Sequence, residues 1–317
     1  MTHSRVTPRA VDFQSQGSRI AAHLYLPSDP GPHPCIVMAG GWCYVKELAQ
    51  PAYAGVFARR GLAALVFDYR RFGESEGEPR QHIDPWAQIE DYRNAISFAA
   101  GLEAIDASRI AAWGISYSGG HVLILGAIDR RVHAVCSVVP VIDGYASMRL
   151  SHGTLGFRRL LAELESARQE LYVTGKHRYL PHQPASEGEV GTWPFPQSRE
   201  TFARLKATQA PRYEGRATTA STEMLLSYSV WPFVKRLVAT PTLMVVAEGD
   251  DHTHWDLAAD AYAAIPGERK RFEVIPRSTH LTLYEDDETL ASVAGIAADW
   301  FLQHLLPAVS KAHQPIR

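Results

Sequence analysis

Six short apolar runs, PCIVMAGG, LAALVFDY, SRIAAWGIS, VHAVCSVVP, TPTLMVVAEGD and KRFEVIP, limit this chain to few folds. Each has strand length, and several end in glycine, proline or acidic residues where a chain turns. From Ile36 to Leu123 they alternate with stretches of helical period, the pattern of strand and helix alternation around a parallel sheet. Ala49, Ala52, Tyr53, Val56 and Phe57 recur at helical spacing, with Gly61 placed as a C-cap. Asp84 and Pro85 form an N-cap and first-turn pair, after which Trp86, Ile89, Ile96 and Ala99 line one predicted face. A small-residue helix is predicted from Tyr117 to about Ile128, and another helical segment over Leu257 to Ala264. A last amphipathic helix includes Val293, Ile296, Ala297, Trp300, Phe301 and Leu305. The fold class is therefore α/β.

The interval from Val141 to Ala239 breaks this rhythm. It is rich in Arg, Glu, Pro and aromatic residues, carries helical fragments such as FRRLLAELESARQEL, and shows no strong strand run. So long an interval reads as an inserted subdomain rather than a loop. The expected division is a core of residues 1–140 and 241–317 with a cap over 141–240. Tyr145, Phe157, Trp193, Phe195, Tyr228, Trp231 and Phe233 supply aromatic surface for the insertion's own core or for covering an apolar pocket.

Strand, sharp turn and helix follow one another in RIAAWGISYSGGHVLIL, the context of a nucleophile elbow with Ser116 at its apex. Residues two before and two after such a serine must be small; here they are Gly114 and Ser118. Gly119 and Gly120 let the helix approach the neighbouring strand. A serine hydroxyl needs a base to take its proton, and that base needs an acid to orient it. AEGDD places Asp250 or Asp251 at a strand end, and VIPRSTHLTLY places His280 just after the last strand. The loop histidines His252 and His254 read as polar loop or pocket-lining residues, and His121, on the helix after Ser116, as packed or exposed. Asp68, also at a strand end, is an alternative acid, but in FDYR it reads rather as stitching loops together by hydrogen bonds. Backbone N–H groups of Trp42 and Tyr117 are the candidate donors to an oxyanion.

A formal net charge of -2 gives no attraction to phosphate backbones or anionic membranes, which argues against nucleic acid or a membrane surface as partner. Three scattered cysteines suit neither a disulfide framework nor zinc. The N-terminal stretch lacks the unbroken apolar run of a signal peptide, and no run elsewhere has the length to cross a bilayer. A cytoplasmic protein is expected, and a homo-oligomer is compatible with the sequence.

MAGGWCYVKEL, VFDYRRFGESEGEPRQ, RIAAWGISYSGGHV, VVAEGDDHT and STHLTLY together resemble the α/β-hydrolase superfamily. The chain is most similar to its dienelactone hydrolase-like and Xaa-Pro dipeptidyl-peptidase-like branch, which includes polyketide hydrolase-like proteins. The resemblance implies an eight-stranded, mostly parallel sheet flanked by helices, with a helical cap. It carries the nucleophile onto Ser116, the acid onto Asp250 in preference to Asp251, the base onto His280 and the oxyanion amides onto Trp42 and Tyr117. In two places the sequence departs from the family. The usual His-Gly of the oxyanion loop is Gly40 and Gly41 here, and Ser118 replaces a glycine. The expected activity is hydrolysis of a carboxylic ester, thioester or lactone on a small, largely apolar acyl substrate, without metal or cofactor. An acyltransferase with the same triad, or a slow-turnover ligand-binding protein, are the competing expectations.

Overall fold

The computed structural model describes residues 6–306. The chain opens with a hairpin, β1 (Arg9–Ser15) and β2 (Ser18–Tyr25), followed by β3 (His33–Ala39), α1 (Gln50–Arg59), β4 (Ala63–Phe67) and α2 (Pro85–Ala100). Next come β5 (Ile105–Ile115), α3 (Tyr117–Ile128) and β6 (Val132–Val138). The intervening stretch carries α4 (Gly144–Thr174), β7 (Tyr179–Pro181), α5 (Ser198–Thr208), β8 (Arg216–Thr218), α6 (Thr219–Leu226) and α7 (Trp231–Val234). The chain then returns through β9 (Thr242–Ala247), α8 (Trp255–Ala264), β10 (Lys270–Ile275), α9 (Thr282–Glu285) and α10 (Asp287–Leu305).

Eight strands form one sheet in the order β1-β2-β4-β3-β5-β6-β9-β10. Within this sheet only β1–β2 and β2–β4 pair antiparallel; β4, β3, β5, β6, β9 and β10 run parallel. Strands β3 and β4 are buried at every position, as a sheet covered on both faces requires. Helices α1 and α10 pack on each other, as do α2 and α3, and the two groups flank the sheet. This is the α/β-hydrolase fold. Among the described residues, no helix is long and apolar enough to cross a membrane.

Three features of the chain were not visible in its hydrophobic pattern. The first two strands interleave polar with apolar residues and are set by their turn, where Gln16 and Gly17 both take positive φ (48° and 84°), as a tight two-residue hairpin needs. Strands β7 and β8 are three residues each and pair only with each other, too short for a periodicity. Trp86 lies outside the buried face assigned to it, being 53% exposed. The buried face of α2 is turned toward Gln88 and Asp91 instead, because both side chains find buried partners: Gln88 meets His121, and Asp91 meets Ser15 and Arg70.

Between β6 and β9, α4 runs for 31 residues with a break at Gly153 (φ 63°), and packs on α6. Helix α3 sits close to this stretch. A Cβ added at Gly120 would lie 2.4 Å from the Val141 carbonyl oxygen and 2.5 Å from the Tyr228 hydroxyl. Gly120→Ala should therefore force backbone apart and destabilise the protein by about 1–3 kcal/mol. The expected outcome is a lower urea midpoint with the slope unchanged.

Candidate active site

The parallel strands bring their carboxyl ends to one edge of the sheet, and the loops leaving β3, β5, β9 and β10 meet there. Ser116 lies between β5 and α3 at φ 58° and ψ −117°, a conformation that costs a non-glycine residue on the order of 1–3 kcal/mol. Its surroundings hold it there: the Ser116 N–H donates to the Val138 carbonyl (2.9 Å), and its own carbonyl accepts from the Val141 N–H (3.1 Å). A Cβ on Gly114 would fall 2.1 Å from the Ser118 carbonyl oxygen, so only glycine lets the chain double back.

Both departures from the family pattern have structural reasons. Ser118 Oγ donates to the Gly40 carbonyl and lies 2.5 Å from the Tyr69 hydroxyl, which is left to donate to it. Glycine at this position would lose a buried link between the elbow and the loop after β3. At Gly40 a Cβ would collide with the Gln50 amide (2.4 Å) and Tyr44 Cβ (2.7 Å), which leaves no room for an imidazole. With its amide turned to suit its neighbours, Gln50 braces the loop in place of that imidazole, its oxygen accepting from the Gly40 N–H at 2.8 Å.

Gly41 lies directly against the serine: a Cβ there would be 2.8 Å from Ser116 Cβ and 3.3 Å from its Oγ. Trp42, the next residue, stacks edge-on against Tyr117 at 5.2 Å. Tyr117 opens α3, where N–H groups have no acceptor inside the helix and the helix dipole favours negative charge. Beyond Trp42 the loop is anchored by Asp68, which accepts from the Lys46 N–H (2.6 Å), Lys46 Nζ (2.8 Å) and the Glu74 N–H (3.0 Å).

On the far side, His280 Nδ1 lies 2.8 Å from Asp250 Oδ2. Asp250 also accepts from the His252 N–H (2.9 Å), the Thr253 N–H (3.0 Å) and Thr253 Oγ (2.8 Å). Burial pushes the Asp250 carboxyl up, but the facing His280 and its hydrogen bond, aided by His252 and the Thr253 amide, outweigh burial and hold it well below the usual carboxylate range. Asp251 points elsewhere, its Oδ1 lying 2.8 Å from His252 Nδ1. Ser116, Asp250 and His280 are 4%, 6% and 3% exposed, so all three are buried.

Because the ionised Asp250 carboxylate can only accept, Nδ1 carries the proton of the neutral ring and His280 Nε2 is an acceptor. In this arrangement the Tyr284 hydroxyl donates to it, 3.3 Å from Nε2. Burial raises the Tyr284 pKa well above that of an ordinary phenol, so its proton is kept. Among the described residues, no direct hydrogen bond joins Ser116 to His280; the Tyr284 hydroxyl is the partner of Nε2 instead. Sequence reading passed over this tyrosine, whose only signal is its position four residues after His280, on α9.

The competing histidines are engaged elsewhere. His121 is buried between the Tyr228 hydroxyl (2.9 Å) and Gln88 Oε1 (2.9 Å), and burial lowers its pKa to about 3. His254 Nε2 lies 3.1 Å from Ser151 Oγ. His252, read as a loop or lining residue, pairs with Asp251 and stacks on His280.

The sequence matches the model of the family described as X-Pro dipeptidyl-peptidase (S15 family) over residues 16–282. It is 32% identical to the thiohydrolase aneE of Aspergillus aculeatus over 286 residues, 88% of this chain and 86% of that protein. It is also 44% identical to the quorum-quenching protein AidA of Acinetobacter baumannii over 140 residues, a match spanning 44% of this chain and 46% of that one. Among solved structures, the hypothetical protein PA2218 of Pseudomonas aeruginosa superposes with a TM-score of 0.79 at 27% identity, covering 96% of each chain.

Two predictions follow from the groups around the site. Burial pushes the Cys35 thiol up to about 12 and raises those of Cys43 and Cys136 too. A thiol reagent at about pH 8 should thus find no fast-reacting cysteine in the native protein and three after denaturation. The depressed folded value of Asp250 means its contribution to stability is fully present above the ordinary carboxylate range and is lost as pH falls toward the folded value. The urea midpoint should therefore decline below about pH 4, and Asp250→Asn should remove part of that slope.

Proposed function

The chain belongs to the X-Pro dipeptidyl-peptidase (S15) family, and on that premise we propose that it is a serine hydrolase that opens an ester, thioester or lactone through an acyl-enzyme on Ser116. The observation that carries this reading is the buried His280–Asp250 pair at 2.8 Å, set against a serine at a strained strand-to-helix turn. In the proposed reaction, Ser116 Oγ attacks the substrate carbonyl while its proton passes to His280 Nε2, with Nδ1–H held by Asp250. Charge collects on the carbonyl oxygen, toward which the amides of Trp42 and Tyr117 would donate. Collapse of the intermediate expels the alcohol or thiol, protonated by His280. Water activated by the same imidazole then attacks the acyl-enzyme and frees Ser116.

The direction of each proton supports this assignment. An ionised Asp250 fixes the tautomer in which Nε2 is free to take a proton, and Tyr284 would have to yield its hydrogen bond there as Ser116 donates. A thioester is within range of the reading because the aneE relative is named a thiohydrolase. Buried aromatic residues adjoin the reacting groups, Tyr117 next to Ser116 in the chain and Tyr284 at His280, with Trp42 and Tyr44 packed on those two rings; they favour an uncharged, largely apolar acyl group.

Ser116→Ala and His280→Ala should each lower kcat/KM for a p-nitrophenyl ester by roughly 10³-fold or more, with far-UV circular dichroism unchanged. Asp250→Asn should lose far more activity than Asp251→Asn. Activity retained in Ser116→Ala would remove the reading altogether.

A further inference from the structure

A second imidazole–carboxylate pair lies flat against the first. The His252 ring stacks on His280 at 4.9 Å between centroids with 12° between planes, and its Nδ1 is 2.8 Å from Asp251 Oδ1. The carboxylate can only accept, so Nδ1 carries the proton and Nε2 is an acceptor. Its donor is Ser198 Oγ, 3.2 Å away at the start of α5 in the segment between β6 and β9. Phe195, from the same segment, packs against the His252 ring at 4.2 Å between centroids, tilted by 35°. The main-chain N–H of His252 meanwhile donates to Asp250. One residue therefore touches the acid, the base and the inserted segment. Burial lowers the His252 pKa against the opposing effect of Asp251, so near neutral pH the ring facing His280 is uncharged.

We propose that His252 is a positioning residue for His280, one that makes the orientation of the base depend on how the inserted segment is seated. The proposal rests on the reading of Ser116, His280 and Asp250 as the reacting group. Once Tyr284 yields Nε2, the imidazole is held by its Nδ1–H bond alone and keeps freedom about its broad second side-chain torsion, which a flat neighbour restricts. The three reacting residues are buried, and in this proposal the inserted segment shifts to admit substrate. Such a shift draws Ser198 and Phe195 away from His252 and loosens the wall behind His280. Reseating restores the wall, and His280 is aligned for proton transfer only with the substrate enclosed.

The test compares the whole chain with His252→Ala, His252→Phe and Ser198→Ala, measuring kcat and KM for a p-nitrophenyl ester. The low-field proton resonance of the His280–Asp250 pair is recorded in parallel. His252→Ala should lower kcat on the order of 10- to 100-fold while KM moves less than about threefold, and should broaden the low-field resonance. Ser198→Ala should shift both readouts the same way by less. His252→Phe, which keeps a flat ring, should recover most of the kcat lost in His252→Ala. The proposal is overturned by wild-type kcat in His252→Ala, by a loss carried in KM alone, or by a resonance that stays sharp in that variant. A wild-type chain without ester turnover whose resonance still responds to His252→Ala would retain the coupling and discard the hydrolase reading.

Discussion

The site depends on one backbone constraint: the chain must reverse from β5 into α3 within a single residue, Ser116. That reversal brings the Ser118 carbonyl so near Gly114 that no side chain fits there, and puts Ser116 at a positive φ that its neighbours must sustain. The hydrogen bonds of Ser116 to Val138 and Val141 do so from β6 and the turn after it. The reversal exposes the first N–H groups of α3 beside Ser116, and the tight fit of Gly41 against the serine puts Trp42 next to it. Strain at this turn is thus tolerated because the neighbouring strand and two loops over-determine it.

Around the turn, the buried carboxylates are satisfied in closed sets. Asp68 consumes the Lys46 amide and ammonium and the Glu74 amide, while Asp91 takes the Arg70 guanidinium and the Ser15 hydroxyl. Buried ion pairs of this kind add little net stability over apolar packing, but removing one partner strands the other. Their effect here is geometric. They anchor the loops after β3 and β4, so that the glycines facing Ser116 stay where they are. Asp250 is satisfied in the same way by two amides, one hydroxyl and His280, which keeps it ionised and its imidazole in one tautomer.

Much of this architecture was legible because the central strands are buried on both faces and so read as unbroken apolar runs. The edge hairpin was not, since strands at a sheet margin mix polar with apolar residues and take their register from Gln16 and Gly17. Trp86 was misplaced because apolar period alone cannot anticipate that Gln88 and Asp91 would turn inward to meet His121 and Arg70. At the site, Ser116, Asp250 and His280 could be singled out from strand-end positions and chain order. The Ser118 bond to Gly40, the Tyr284 hydroxyl at His280 and the stacking of His252 could not, because each joins loops that only the folded sheet brings together. His252 illustrates the limit: one more polar residue in GDDHTH along the chain, it is in space the contact between the base and the inserted segment.

The central claim is that Ser116 is a nucleophile activated by His280. The most direct measurement is intact-protein mass spectrometry with peptide mapping after brief exposure of the native chain to a fluorophosphonate. The account predicts one adduct, on the peptide containing Ser116, absent in Ser116→Ala and strongly slowed in His280→Ala. A native protein that takes up no adduct, or an adduct formed equally well in Ser116→Ala, would contradict it.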